Sequence, residues 1–133
     1  MTKKTCRILA IDDDPVFLSL IRDALELSGF SVETLEDPNE AVAAIERFPP
    51  DVIMLDMLMP DMTGTELCLR LKEKGILGRI TVILFSGIDE DIYRQELKQL
   101  GVFACLTKPV SIQHLISIVR DAVSPAPGRP QAG

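Results

Sequence analysis

The sequence holds one histidine, three cysteines and no apolar run long enough to cross a membrane. Each shortage removes a class of protein. A bilayer span needs about 20 consecutive apolar residues, so no contact with a membrane is expected. The opening Met-Thr-Lys-Lys-Thr has two lysines but no long apolar stretch behind them, and so does not read as a signal peptide. Cys6, Cys68 and Cys105 are odd in number and lack metal-ligand spacing. They read as reduced core thiols of a cytoplasmic protein. His114 falls in a helical stretch and reads as an exposed surface residue. Basic residues are also short. Fourteen Lys and Arg against 20 Asp and Glu leave a formal charge of −6, the wrong sign for direct nucleic-acid binding, which needs a basic face.

What the sequence does contain is a regular alternation. Its 133 residues suit one domain with a sizeable core. Short β-rich apolar runs at Cys6–Ile11, Ser31–Leu35, Val52–Leu55, Thr81–Phe85 and Ala104–Thr107 predict strands. Between them lie stretches of helical length. Phe17, Ile21, Ala24 and Leu25 fall on one face of a first helix that Gly29 stops. Asp37, Pro38 and Glu40 form a cap, N1 and N3 pattern for a second, which Phe48-Pro49-Pro50 ends. A third helix is expected from Thr63 to Lys74 before Gly75, and a fourth over Asp89–Leu100 before Gly101. The fifth is capped by Ser111 and carries Leu115, Ile116, Val119 and Ala122. Five strand-helix repeats imply parallel strands, right-handed crossovers and helices on both faces. The chain is too short for an eight-stranded barrel, so an α/β fold with an open, doubly wound, five-stranded sheet, (βα)5, is expected. The last ten residues, 124–133, hold three of the nine prolines and no bulky apolar group. They read as a flexible tail or the start of a linker after a domain over 1–123.

In such a sheet, ligands bind beyond the carboxyl ends of the strands. The first strand ends in Asp12-Asp13-Asp14, the third in Asp56, the fourth in Ser86-Gly87 and the fifth in Thr107-Lys108-Pro109. Carboxylates held together repel one another, and a hard divalent cation relieves that repulsion. Oxygen-only ligands favour Mg²⁺ or Ca²⁺ over zinc, and Mg²⁺ is often bound beside a phosphoryl group. Lys108 and Ser86 add the positive charge and the donor that phosphoryl oxygens need. Asp14 is better read as the cap of the first helix than as a ligand. Met54 reads as core filling.

Four segments together, Ile8–Pro15, Asp51–Pro60, Ser86-Gly87 and Thr107–Pro109, resemble the signature stations of response-regulator receiver domains of two-component systems. The resemblance covers roughly residues 5–123, and it implies the flavodoxin-like strand order 2-1-3-4-5. It also implies that Asp56 is the phosphoacceptor, supplied by a sensor histidine kinase or a histidine phosphotransfer protein. Asp13, Asp56 and the Leu58 backbone carbonyl would ligate Mg²⁺ directly, and Asp12 through water. Lys108 would pair with the phosphoryl oxygens. Ser86 would hydrogen-bond to the aspartyl phosphate and, by moving toward it, switch the surface of helix four, strand five and helix five for a downstream effector protein or domain. No independent substrate turnover is implied, so the chain is not expected to be an enzyme in that sense. A Lys-Pro bond at position 108 is often cis in such domains.

Two departures stand out. The family's usual Tyr or Phe three residues before the lysine is Cys105 here, with Phe103 two residues earlier as the nearest ring on the expected face. Leu58 and Ile88, two residues past Asp56 and Ser86, are apolar where the family often orients water, which implies slow loss of the phosphoryl group. The alternatives are a pseudo-receiver, binding proteins without phosphorylation, and a haloacid-dehalogenase-type phosphatase. The latter needs an Asp where this chain has Leu58.

Overall fold

The computed structural model describes residues 5–87 and 94–123. Five parallel strands form one sheet: β1 (Arg7–Ile11), β2 (Ser31–Leu35), β3 (Val52–Asp56), β4 (Thr81–Ser86) and β5 (Val102–Thr107), in the order β2-β1-β3-β4-β5. The helices are α1 (Pro15–Leu27), α2 (Ala41–Arg47), α3 (Gly64–Glu73), α4 (Arg94–Gln99) and α5 (Ile112–Val123). The expected doubly wound sheet and its strand order are borne out. Every residue of β3 is buried, as is β1 after Arg7, which is why both read as unbroken apolar runs.

The sheet divides the core in two. On one face, Leu18, Ile21 and Leu25 of α1 and Leu115 and Val119 of α5 pack on Ile8, Met54, Ile83 and Phe85. On the other, residues of α2, α3 and α4 such as Ile45, Leu67 and Leu97 pack on Leu9, Ile53, Leu55 and Leu84. Met54 is core, as expected. Met57, Met59 and Met62 are also buried, in the second cluster, where flexible side chains suit an irregular loop after β3.

Local signals place the helix ends. Asp14 caps α1 by accepting from the N–H groups of Val16 and Phe17. Gly29 follows that helix at φ 95°, a backbone shape that favours glycine. Thr63 caps α3 through the Glu66 N–H. Asp37 caps the second helical region, but its first turn, Pro38–Glu40, is wound as a 3₁₀ helix before α2 begins. The Glu40 N–H reaches back three residues to the Asp37 carbonyl, the tighter spacing of that geometry. The expected start of the fourth helix at Asp89, the position Ile88 and the tail at 124–133 lie outside the described residues.

One cysteine departs from expectation. Cys68 is buried and Cys6 half-buried, whereas Cys105 is exposed. Burial pushes the Cys68 thiol up to about 11, and burial with the nearby Asp51 charge does the same for Cys6. Cys105 lies on β5, the edge strand, opposite Leu84. An apolar run on an edge strand need not be enclosed on both sides, and β5 is mostly half-buried or exposed. The register with β4 also shifts, pairing Val82 with Val102 but Ile83 with Ala104. Phe103 falls at that shift, yet it and Cys105 are both exposed, two residues apart in a strand whose burial alternates, as expected from the sequence. His114 is exposed, as expected. Among the described residues, no helix is long and apolar enough to cross a membrane.

Candidate functional site

The carboxyl ends of β1, β3, β4 and β5 lie side by side, and this edge carries the polar groups. Asp12 leaves β1 with its N–H on the Leu35 carbonyl at 3.1 Å. Its side chain is 2% exposed, and each oxygen has work. Oδ1 accepts from the Asp14 N–H at 2.9 Å, turning the chain toward α1. Oδ2 lies 2.8 Å from the Lys108 Nζ. Lys108 arrives from the end of β5, where its N–H donates to the Ser86 carbonyl at 2.6 Å and its bond to Pro109 is cis. This contact ties together residues 96 positions apart in sequence.

Asp56 ends β3, in register with Phe85 of β4. It lies 3.7 Å from the Lys108 Nζ, an ion pair longer than a hydrogen bond. The loop that follows is folded back. The Met57 N–H donates to the Phe85 carbonyl, the Gly64 N–H donates to the Met57 carbonyl, and Leu58 bridges Thr63. A Cβ on Gly64 would stand 3.0 Å from the Asp56 backbone oxygen, so glycine lets α3 approach the acid. The Leu58 side chain is 58% exposed beside this pocket. Ser86, at the end of β4, is buried.

Ligand oxygens of Asp12, Asp13 and Asp56 lie within 4.8 Å of one another. Asp13 is exposed and the other two are buried. Burial pushes the Asp56 carboxyl above its ordinary value, and the Asp12 charge adds to the push. Lys108 and the Leu58 N–H pull the other way. Burial works against the Lys108 charge as well, but the hydrogen bond and charge of Asp12, with Asp56, outweigh it and raise its pKa. Lys108 can balance at most one of the three acids. An all-oxygen donor set with surplus negative charge suits a hard divalent cation, so the residues present fit Mg²⁺.

The family model described as "Response regulator receiver domain" matches residues 8–120. The chain belongs to the response regulator receiver domain family. Among curated relatives, the transcriptional regulatory protein TrcR of Mycobacterium tuberculosis is 31% identical, over 86% of this chain and 44% of its own length. RpaA of Synechocystis, described as a DNA-binding dual master transcriptional regulator, is 30% identical over 95% of this chain and 52% of its own. The receiver domain thus spans about half the length of the curated relatives it matches. The solved receiver domain of Francisella response regulator 1452 is 30% identical, with a TM-score of 0.81 over 89% of this chain and 96% of that one. Chemotaxis protein CheY4 of Vibrio cholerae is 26% identical, with a TM-score of 0.84 over 90% of this chain and all of that one.

The structure of this receiver brings together Asp12, Asp13, Asp56 and Lys108, with Ser86 at the adjoining strand end. Cys105, three residues before Lys108, is exposed on β5. Two participants and one pairing escaped sequence reasoning. Asp12 is the nearest partner of Lys108, Gly64 makes room at Asp56, and Phe17 lies under Lys108, its ring centroid 4.3 Å from Nζ. Gly64 had left a signal, because glycine ranks next to proline as the poorest helix former and yet lies within the expected third helix.

Proposed function

We propose that this receiver accepts a phosphoryl group onto Asp56 from the phosphohistidine of a sensor histidine kinase or a histidine phosphotransfer protein. The observation that carries the reading is the meeting of Asp12, Asp13, Asp56 and Lys108 at one sheet edge. An Asp56 carboxylate oxygen forms the new bond to phosphorus as the P–N bond breaks. The freed imidazole nitrogen keeps that electron pair and takes up a proton. Lys108 supplies charge and donors to the phosphoryl oxygens, and the Ser86 hydroxyl a further hydrogen bond. Asp12, Asp13, Asp56 and the Leu58 carbonyl would hold Mg²⁺, which when bound offsets the negative charge of acids and phosphoryl group.

Residues 1–123 then form the switch, with 124–133 as a tail or linker. The surface of α4, β5 and α5 is read by a downstream effector protein or domain. The names of relatives about twice as long support a transcriptional output, while the acidic balance of this domain argues that it does not itself touch nucleic acid. It works inside the cell as a signalling domain, with no independent substrate to turn over. Leu58 offers no group to orient water, which supports a long-lived phosphoaspartate.

A pseudo-receiver has no use for this arrangement, since clustering carboxylates costs stability without serving a binding module. Incubation with acetyl phosphate and Mg²⁺, followed by intact mass measurement, should add the mass of one phosphoryl group and retain it beyond seconds. An unchanged mass with both this donor and a cognate kinase would leave the binding module as the better reading.

A further inference from the structure

Lys108 has a second kind of partner that is neither acid nor phosphate. Its ammonium lies 4.3 Å from the centroid of the Phe17 ring, well within cation–π range. Phe17 is half-buried in the first turn of α1, and its ring meets Phe85 edge-on at 5.5 Å and 86°. Phe85 is 1% exposed. It is fixed by its register with Asp56 and Leu106, and its carbonyl accepts the Met57 N–H at 2.8 Å. The Phe17 ring is therefore braced on a residue that does not yield.

A lysine ammonium sits on a flexible four-carbon stem and loses considerable rotamer freedom when held. Asp12 and Asp56 attract it, but a carboxylate does so over a wide range of approaches. A braced aromatic face narrows the choice, and it does so without adding charge to a pocket already too negative. We infer that Phe17 is a positioning residue that holds the Lys108 ammonium in the place from which it serves a phosphoryl group on Asp56. The inference rests on the proposed phosphoryl acceptance for its consequence, but its geometry can be tested apart from it. A merely apolar role in the α1 cluster would be met equally well by leucine.

The test compares Phe17→Leu and Phe17→Tyr in the full chain. In magnesium-free protein, NMR should find the Lys108 ε-methylene resonances shifted upfield by the ring, restored to ordinary lysine positions in F17L and still shifted in F17Y. With acetyl phosphate and Mg²⁺, uptake in F17L should slow by about three- to thirty-fold, the range from an exposed to a desolvated cation–π contact. F17Y should stay near the parent rate. In a Lys108→Met background, F17L should add no further loss. An equal fractional loss in that background, or unchanged uptake in F17L, would overturn the inference. So would ordinary Lys108 resonances in the unmutated protein, a result that does not depend on any variant folding. Unmutated protein that takes up no phosphoryl group from acetyl phosphate or from a cognate kinase would instead overturn the acceptor reading.

Discussion

At the end of β2, Asp37 is exposed, and its Oδ1 accepts from the Asn39 N–H at 2.9 Å and the Asn39 side-chain amide at 3.1 Å. At the ends of β1 and β3, Asp12 and Asp56 are 2% and 7% exposed and share the Lys108 ammonium. The residue type is the same and each lies at or just beyond the carboxyl end of a strand, but the roles are opposite. What separates them is sheet order. β2 is an edge strand, so its end meets solvent and starts a helical turn. β1 and β3 are interior neighbours, so their ends fall in the crevice where strand order reverses. Acidity at a strand end is therefore uninformative by itself. Burial, with like charges near and a cation from another strand, makes it a site.

The largest effect that would sharpen this contrast concerns the acceptor. Asp56→Asn should abolish phosphoryl uptake, because an amide oxygen is a poor nucleophile, whereas Asp37→Asn should leave uptake unchanged. Intact mass after acetyl phosphate treatment reads both. Uptake that survived in D56N would move the reaction to another acid and break the comparison.

Metal binding should divide the two regions next. A cation that binds only the folded state stabilises it by about 2.7 kcal/mol at a hundredfold excess over Kd. Thermal melts with and without Mg²⁺ should report that gain for the unmutated chain and for D37N, and most of it should vanish in Asp13→Asn. An equal gain in all three would mean that the cation binds elsewhere.

Much of this arrangement was legible in the sequence, and the reasons are local. β1 and β3 are enclosed on both faces, so they read as apolar runs, and their ends could be named before any contact was known. Asp14, Asp37 and Thr63 are capping residues because their side chains reach N–H groups two or three positions on. What stayed hidden depends on distance in the chain. Nothing near Lys108 tells that Asp12 rather than Asp56 is its closer acid, nor that Phe17 lies beneath it. The exposure of Cys105 follows from its place on an edge strand, and the shift of register between β4 and β5 is something alternation alone does not reveal. The 3₁₀ turn at Pro38–Glu40 shares its cap signal with an ordinary helix start.

Proton linkage offers a smaller effect. Burial first, and then the Asp12 charge, push the Asp56 carboxyl above its ordinary 3.8. In magnesium-free protein the folded state therefore keeps a proton that the unfolded chain has already released. The stability this contributes is complete below the unfolded value and is lost as pH rises through the folded one. Urea unfolding at successive pH values should find the unmutated chain losing stability relative to D56N from about pH 3.8 upward. One group can account for a slope of at most about 1.4 kcal/mol per pH unit. A difference that ran the other way would mean that Lys108 dominates the acid's surroundings.

The smallest effect belongs to the exposed acid, and it tests the other half of the contrast. Asp37→Ala removes the acceptor for the Asn39 N–H, and losing such a cap costs roughly 1 kcal/mol. The melting temperature should fall by a few degrees. Phosphoryl uptake and the gain from Mg²⁺ should both hold, because Asp37 has its partners within its own turn and the crevice lies beyond β1. If D37A instead weakened the magnesium response, the acid at the end of β2 would be acting on the crevice through the field of the whole edge. Sheet order alone would then no longer explain why aspartates near the ends of neighbouring strands differ.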